Sequence, residues 1–275
     1  MMKKNKLTRV LALAMVVILL ALYIVTMVFA VQKNENAQAM FRAALACTFI
    51  LPVLLYIILL VAKLLAPKKS QAVDALIFDM GKVLLDFPWE TCAEKMDVTP
   101  ECRRVLEEKI LHNPELWKKF DLNNKSYEQI MDEFAAVDPR YDREIRELVD
   151  HVDEVIKPFP YTEEWLRELK RHGYKLYWLS NWSQVTYERI KKRGILDFMK
   201  YMDGGIWSFD VHLAKPDGRI FRLLADRYHL NKSRSIFIDD SEANVRAAQK
   251  EGFAAIHFTS FEETRKKLED AGVVV

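Results

Sequence analysis

A mostly parallel α/β sheet, doubly wound with helices on both faces, is the fold class this sequence predicts. A helical insertion after the first strand and two apolar helices ahead of it complete the expectation. Three observations carry it. From residue 73 onward, apolar runs of strand length alternate with amphipathic helical stretches. The first run, Ala75-Leu76-Ile77-Phe78, stops at Asp79 and a glycine turn follows. That rhythm then lapses until Pro158.

Val10 to Val31 is apolar and uncharged, and as a helix of about 33 Å it would cross a hydrocarbon core of about 30 Å. A second apolar segment, Ala43 to Ala66, is interrupted by Pro52 and Lys63. Both are read as transmembrane helices, about 10–31 and 43–66, in an anchor covering 1–69. Lys3, Lys4, Lys6 and Arg9 precede the first, and Lys63, Lys68 and Lys69 flank the end of the second. Positive outer flanks predict a multi-pass cell-membrane protein with its N-terminus and body in the cytoplasm. A cleaved signal peptide is disfavoured by the length of the apolar core and by the second span. Two such spans could also pair between copies, so a homo-oligomer is compatible with them. Without a buried charge pair they give little support for a transport pathway.

The body, 70–275, has the opposite charge. Residues 1–70 hold nine basic and one acidic side chain, whereas the remainder holds 32 basic and 38 acidic. An acidic body argues against a nucleic-acid partner. Cys47, Cys92 and Cys102 have neither disulfide-framework nor metal-ligand spacing.

Strands are expected at Val73–Phe78, Lys175–Leu179, Gly205–Phe209, Ser235–Ile238 and Ala254–Phe258. Helices are expected at Thr162–His172, Ser183–Arg193, Arg219–Tyr228, Glu242–Glu251 and Phe261–Ala271. Between 88 and 157 only helical patterns appear: Glu101–Leu111, Glu115–Asp121, Ser126–Val137 with Ser126 as N-cap, and Tyr141–Ile156. An insertion there would sit over the carboxyl edge of the sheet, where ligands bind in open α/β folds. Trp89, Trp117, Phe120 and Tyr127 are its candidate specificity residues.

Taken singly, the polar residues at the strand ends have ordinary explanations. A strand-terminal aspartate is usually a turn residue or helix cap. Ser180-Asn181 suits a strand-to-helix cap, and Lys215 suits an exposed loop. Asp239-Asp240 is harder to dismiss, because adjacent carboxylates after a buried strand call for a cation or strong donors. Trp165, Trp178, Trp182 and Trp207 read as core or rim packing, with Trp182 and Trp207 near strand ends. Asn244 and Gln249 read as structural, Asn244 bracing the motif loop.

Together the segments resemble a family. Phe78-Asp79-Met80-Gly81-Lys82-Val83-Leu84, Leu179-Ser180-Asn181, Lys215-Pro216-Asp217 and Phe237-Ile238-Asp239-Asp240-Ser241-Glu242-Ala243-Asn244 stand in the order of the haloacid dehalogenase superfamily. The chain is most similar to the phosphatase branch, including glucose-1-phosphate-type members with a small helical cap. The resemblance spans about 73–260. It implies a Rossmann-like core, an aspartyl-phosphate formed on Asp79, and Mg²⁺ held by Asp79, the Gly81 carbonyl and Asp240, with Asp239 beside them. It further implies that Lys215 neutralises the moving charge, and that Ser180 and the Asn181 N–H bind the phosphoryl oxygens. The substrate would be a small phosphorylated metabolite such as a sugar phosphate.

One position departs from the pattern. Most phosphatases of the family place a second aspartate two residues after the nucleophile, as general acid and base; here that residue is Gly81. Asp86 or a water could substitute. The departure also keeps a second reading open, a catalytically idle membrane scaffold that binds a phosphorylated ligand. Dehalogenase relatives attack carbon without a divalent ion, and the Asp239-Asp240 pair argues for phosphoryl chemistry instead.

Overall fold

The computed structural model describes residues 73–275 and isolated helical positions between residues 24 and 53. Met1–Lys69 and Ser70–Val275 are separate compact units. Apart from those isolated positions, the two apolar spans predicted at 10–31 and 43–66 lie outside the described residues. Among the described residues no helix is long and apolar enough to cross a membrane.

In the second unit, β1 (Ala75–Phe78) leads through a turn to a short strand, β2 (Leu85–Asp86). After the insertion, β3 (Lys157–Pro158) returns antiparallel to β2. β4 (Lys175–Ser180), β5 (Gly204–Trp207), β6 (Ser235–Asp239) and β7 (Ala254–His257) complete the main sheet, in the order β5–β4–β1–β6–β7. All of its pairings are parallel. The chain winds outward from β1 to β5, then crosses back to β6 on the other side of β1. The carboxyl ends of β1, β4 and β6 therefore meet at a topological switch point. Gly205 on β5 faces Trp178 on β4, and a Cβ there would collide with the Trp178 ring and carbonyl.

The insertion carries α1 (Thr91–Glu94), α2 (Pro100–Val105), α3 (Pro114–Leu122), α4 (Tyr127–Ala135) and α5 (Asp142–His151). The expected N-cap at Ser126 is present as a full capping box: its hydroxyl accepts from the Gln129 N–H at 3.2 Å, and the Gln129 side chain accepts from the Ser126 N–H at 3.0 Å. Two predicted helices are modified. The expected Glu101–Leu111 helix widens into a π-helical turn over Leu106–Leu111, closed by the His112 N–H on the Glu107 carbonyl five residues back at 3.1 Å. The expected Tyr141–Ile156 helix ends at His151 and tightens into a 3₁₀ turn, Val152–Val155. That turn buries Asp153 where Arg189 and Arg193 of the core reach it.

The core helices are α6 (Thr162–Arg171), α7 (Gln184–Lys192), α8 (Ser208–Val211), α9 (Gly218–Arg227), α10 (Glu242–Lys250) and α11 (Phe261–Asp270). The predicted strand Gly205–Phe209 stops at Trp207, because Ser208 turns its hydroxyl inward to the Trp182 backbone N–H at 2.9 Å and starts α8. The period-two alternation of β1 is fully used. Leu76 and Phe78 pack on one face with Trp165, Leu166, Ile190 and Leu268. Ala75 and Ile77 pack on the other with Ile220, Phe221, Leu224 and Ala248. Each large apolar side chain buried this way contributes roughly 1.5–3 kcal/mol. The cap has its own core around Leu106, Ile110, Phe134 and Ile145. It supports itself and leaves one face for the sheet edge. Gly205→Ala is expected to destabilise the fold by about 1–3 kcal/mol through overpacking at β4, read as a lower urea midpoint of the full chain.

Candidate active site

The β1 ladder continues one residue past the strand: the Asp79 N–H donates to the Ile238 carbonyl at 2.9 Å, which aims the carboxylate off the sheet edge. Its Oδ1 accepts from the Met80 N–H at 2.7 Å and the Ser180 hydroxyl at 2.7 Å, and lies 2.9 Å from the Lys215 Nζ. Among the described residues no hydrogen bond reaches Oδ2. One oxygen is thus clamped while the other is left for chemistry or a cation.

Lys215 is almost fully buried, with its Nζ also 2.6 Å from Asp239 Oδ2. Its backbone is set by Asn181, whose side chain accepts from the Lys215 N–H at 2.8 Å and donates to the Lys215 carbonyl at 2.9 Å. The Asn181 side chain is therefore a brace for Lys215, whereas the phosphate contact expected of this residue is through its backbone N–H. Asp239 lies beside Asp79 and Asp240. It is completely buried, and its oxygens accept from the Ser241 N–H at 2.8 Å, Asn244 Nδ2 at 3.0 Å and Lys215 Nζ at 2.6 Å. With both oxygens engaged, it anchors Lys215 and offers no free oxygen as a direct metal ligand. Asn244 braces the motif loop as its position suggested.

Asp79, Asp239 and Asp240 bring carboxylate oxygens within 4.8 Å of one another. Burial, opposed by Lys215 and reinforced by Asp239 and Asp240, pushes Asp79 up to about 7. Burial and the Asp239 charge also raise Asp240. Burial works against the Lys215 ammonium, yet Asp239 and Asp79 prevail and hold it above the usual lysine range. Three carboxylates against one ammonium leave a formal excess of two negative charges. Asp79 Oδ2, Asp240 and the Gly81 carbonyl are hard oxygen donors of the kind Mg²⁺ takes. All three bonds that fix the turn, from the Leu84 and Leu85 N–H groups to the Met80 carbonyl and from the Lys82 N–H to the Leu85 carbonyl, bypass the Gly81 carbonyl. Donor type and charge both fit a divalent cation.

Above this polar floor lies a cavity of about 470 Å³. Trp89, Trp117 and Phe120 line it as anticipated, joined by Trp182, read in sequence as packing, and by Phe87 and Val152, which the sequence did not single out. Tyr127 sits behind Phe120 and donates to Asp150, and Trp207 packs behind Trp182, so neither lines the cavity. Asp86, the suggested substitute acid, pairs instead with Lys157 at 3.3 Å and lies outside the lining. Two titratable cap side chains do line it, His112 and Asp121. Burial, with the Asp79 charge adding and Lys215 opposing, pushes Asp121 up to about 7. No motif marks Asp121 in the sequence; its place at the end of an amphipathic helix looked ordinary.

Lys215→Met is expected to cost about 3–5 kcal/mol at pH 8 without divalent cations, because it leaves buried carboxylates unpaired. Without the ammonium, the Asp79 carboxyl, already raised by burial, is pushed further above its unfolded value. The deficit should therefore shrink as pH falls from 8 to 5 and the buried carboxyls protonate. Urea unfolding at the two pH values measures it.

Residues 73–252 match the family described as haloacid dehalogenase-like hydrolase. Among curated proteins, the sesquiterpene phosphatase astK of Aspergillus oryzae is 24% identical over 189 residues, covering 67% of this chain and 89% of its own. The (S)-2-haloacid dehalogenase H-109 of Pseudomonas putida is 22% identical over 205 residues, covering 66% and 84%. Among solved structures, the HAD family enzyme bt-2542 of Bacteroides thetaiotaomicron superposes with a TM-score of 0.58 at 20% identity, covering 72% of this chain and 99% of its own. The same enzyme in complex with magnesium and inorganic phosphate gives a TM-score of 0.54 at 19% identity, covering 70% and 99%.

Proposed function

Because the chain belongs to the haloacid dehalogenase-like hydrolases, we propose that it is a Mg²⁺-dependent phosphatase of small phosphomonoesters, with Asp79 as nucleophile. The observation that carries the reading is the buried Asp79–Lys215–Asp239 arrangement with a free Asp79 Oδ2 beneath a cavity walled by the cap. Ser180 and Lys215 hold the nucleophile and face the position of the phosphoryl oxygens. A bound Mg²⁺, on Asp79, Asp240 and the Gly81 carbonyl, would offset the repulsion between carboxylate and phosphate dianion. The excess negative charge favours this over carbon attack by a haloacid dehalogenase, which has no use for a divalent ion.

The lining bears on the substrate. Apart from indole N–H groups, the cap offers only His112 and Asp121 as polar side chains, among Trp89, Leu111, Trp117, Phe120 and Val152. A sugar would leave most of its hydroxyls unpaired against these walls, which disfavours it. An alcohol with a substantial apolar part fits better, and the sesquiterpene phosphatase relative supports this. The reading extends to a tether: the apolar segments at 10–31 and 43–66 would hold the hydrolase unit, 70–275, at the cytoplasmic face of the cell membrane, and alkaline carbonate should fail to extract the full chain.

The full chain in detergent should hydrolyse p-nitrophenyl phosphate, lose turnover with EDTA and regain it with Mg²⁺. Asp79→Asn should fall to background; turnover surviving that substitution would refute the assignment, and phosphate-ligand binding without turnover would favour the idle scaffold. A prenyl phosphate should exceed glucose 1-phosphate in kcat/KM by at least about tenfold, the worth of roughly two buried methylenes.

A further inference from the structure

The reaction needs a proton donor that position 81 does not supply. Gly81 carries no side chain, and a Cβ there would lie in van der Waals contact with Trp182, 3.4 Å from its Cζ3. We propose that Asp121, on the cap helix α3, is the general acid and then the general base of this site, an assignment that rests on the phosphatase reading.

The geometry that carries it is a carboxylate delivered by the cap to the cavity whose floor holds the nucleophile. Asp121 lines the same cavity as Asp79, Ser180, Lys215 and Asp240, and Asp79 and Lys215 are the charged groups whose fields act on it. The segment bearing it is fastened to the core at three consecutive residues. The Ser208 hydroxyl donates to the Asp121 carbonyl at 2.7 Å, His212 Nδ1 lies 2.7 Å from the Leu122 carbonyl, and Asn123 Nδ2 donates to Gln184 Oε1 at 2.8 Å. Asn123 takes the left-handed conformation that ends the helix there. Among the described residues, no hydrogen bond or ion pair engages the Asp121 carboxylate itself. A side chain so firmly placed and yet unpartnered is what proton transfer to a bound substrate requires. His112, the other titratable cap group in the cavity, is exposed and turned edge-on to Trp89, with Nδ1 held 2.7 Å from the Glu107 carbonyl. Burial also favours the neutral acid at Asp121.

The steps balance. An Asp79 oxygen attacks phosphorus, the bond from phosphorus to the alcohol oxygen breaks, and that oxygen takes its proton from Asp121 and leaves as neutral alcohol. The Asp121 carboxylate then removes a proton from water, whose oxygen attacks the same phosphorus. The bond to Asp79 breaks, inorganic phosphate departs, and both residues return to their starting state.

The test is Asp121→Asn in the full chain, assayed with p-nitrophenyl phosphate and with an alkyl phosphate, alongside Asp79→Asn. An alkoxide needs a proton to leave and p-nitrophenolate does not. The alkyl ester should therefore lose about 10²–10⁴-fold in kcat/KM, and p-nitrophenyl phosphate far less. With the latter, slowed water attack should produce a burst of p-nitrophenol and accumulated phosphoenzyme. Equal losses for both esters, or none, in a variant whose thermal unfolding matches the parent would overturn the role of Asp121 while leaving the phosphatase reading intact. Absence of turnover by the parent chain, or turnover insensitive to Asp79→Asn, would remove both.

Discussion

A single ammonium organises this site. Lys215 Nζ sits almost fully buried between Asp79 and Asp239, and its charge offsets part of what burial costs the two carboxylates. Desolvating three such groups is costly, and the attraction offsets it only when geometry and further hydrogen bonds are good. The chain provides them from several segments: Ser180 and Met80 on Asp79, Ser241 and Asn244 on Asp239, and Asn181 on the Lys215 backbone. The sheet order follows the same demand. Only with β1 flanked by β4 and β6 do these segments reach one rim.

Much of this was legible in the chain. The apolar runs ending in Asp79, Ser180 and Asp239 located three of the five parallel strands, because a fully buried parallel strand has to be continuously apolar. The site residues were legible for a related reason: polar motifs at or just beyond the ends of such runs have no bland role once four of them occur in order. What escaped was the division of labour inside the cluster. The Asn181 side chain and Asp239 both meet Lys215, 34 and 24 positions away, contacts that no local pattern encodes.

The cap was legible as helical but not in detail. The π turn at Leu106–Leu111 and the break at His151 depend on what those segments touch, and propensity does not record it. The β2–β3 stem was missed because two-residue strands have no period to read. Asp121 escaped for the same reason as the stem: its meaning comes from the tertiary contacts of α3.

Ser208 ties these parts together. One hydroxyl, completely buried, accepts from the backbone of Trp182 at the β4 edge and donates to the backbone of Asp121 in the cap. With the neighbouring Leu122 carbonyl held by His212, two of the three attachments of α3 end on main-chain atoms of the cap rather than on its side chains. Exchanging the aromatic wall residues one by one would then reshape the space for a new alcohol without shifting the seat of residue 121. Such a scaffold lets selection vary what is recognised independently of how the bond is cut.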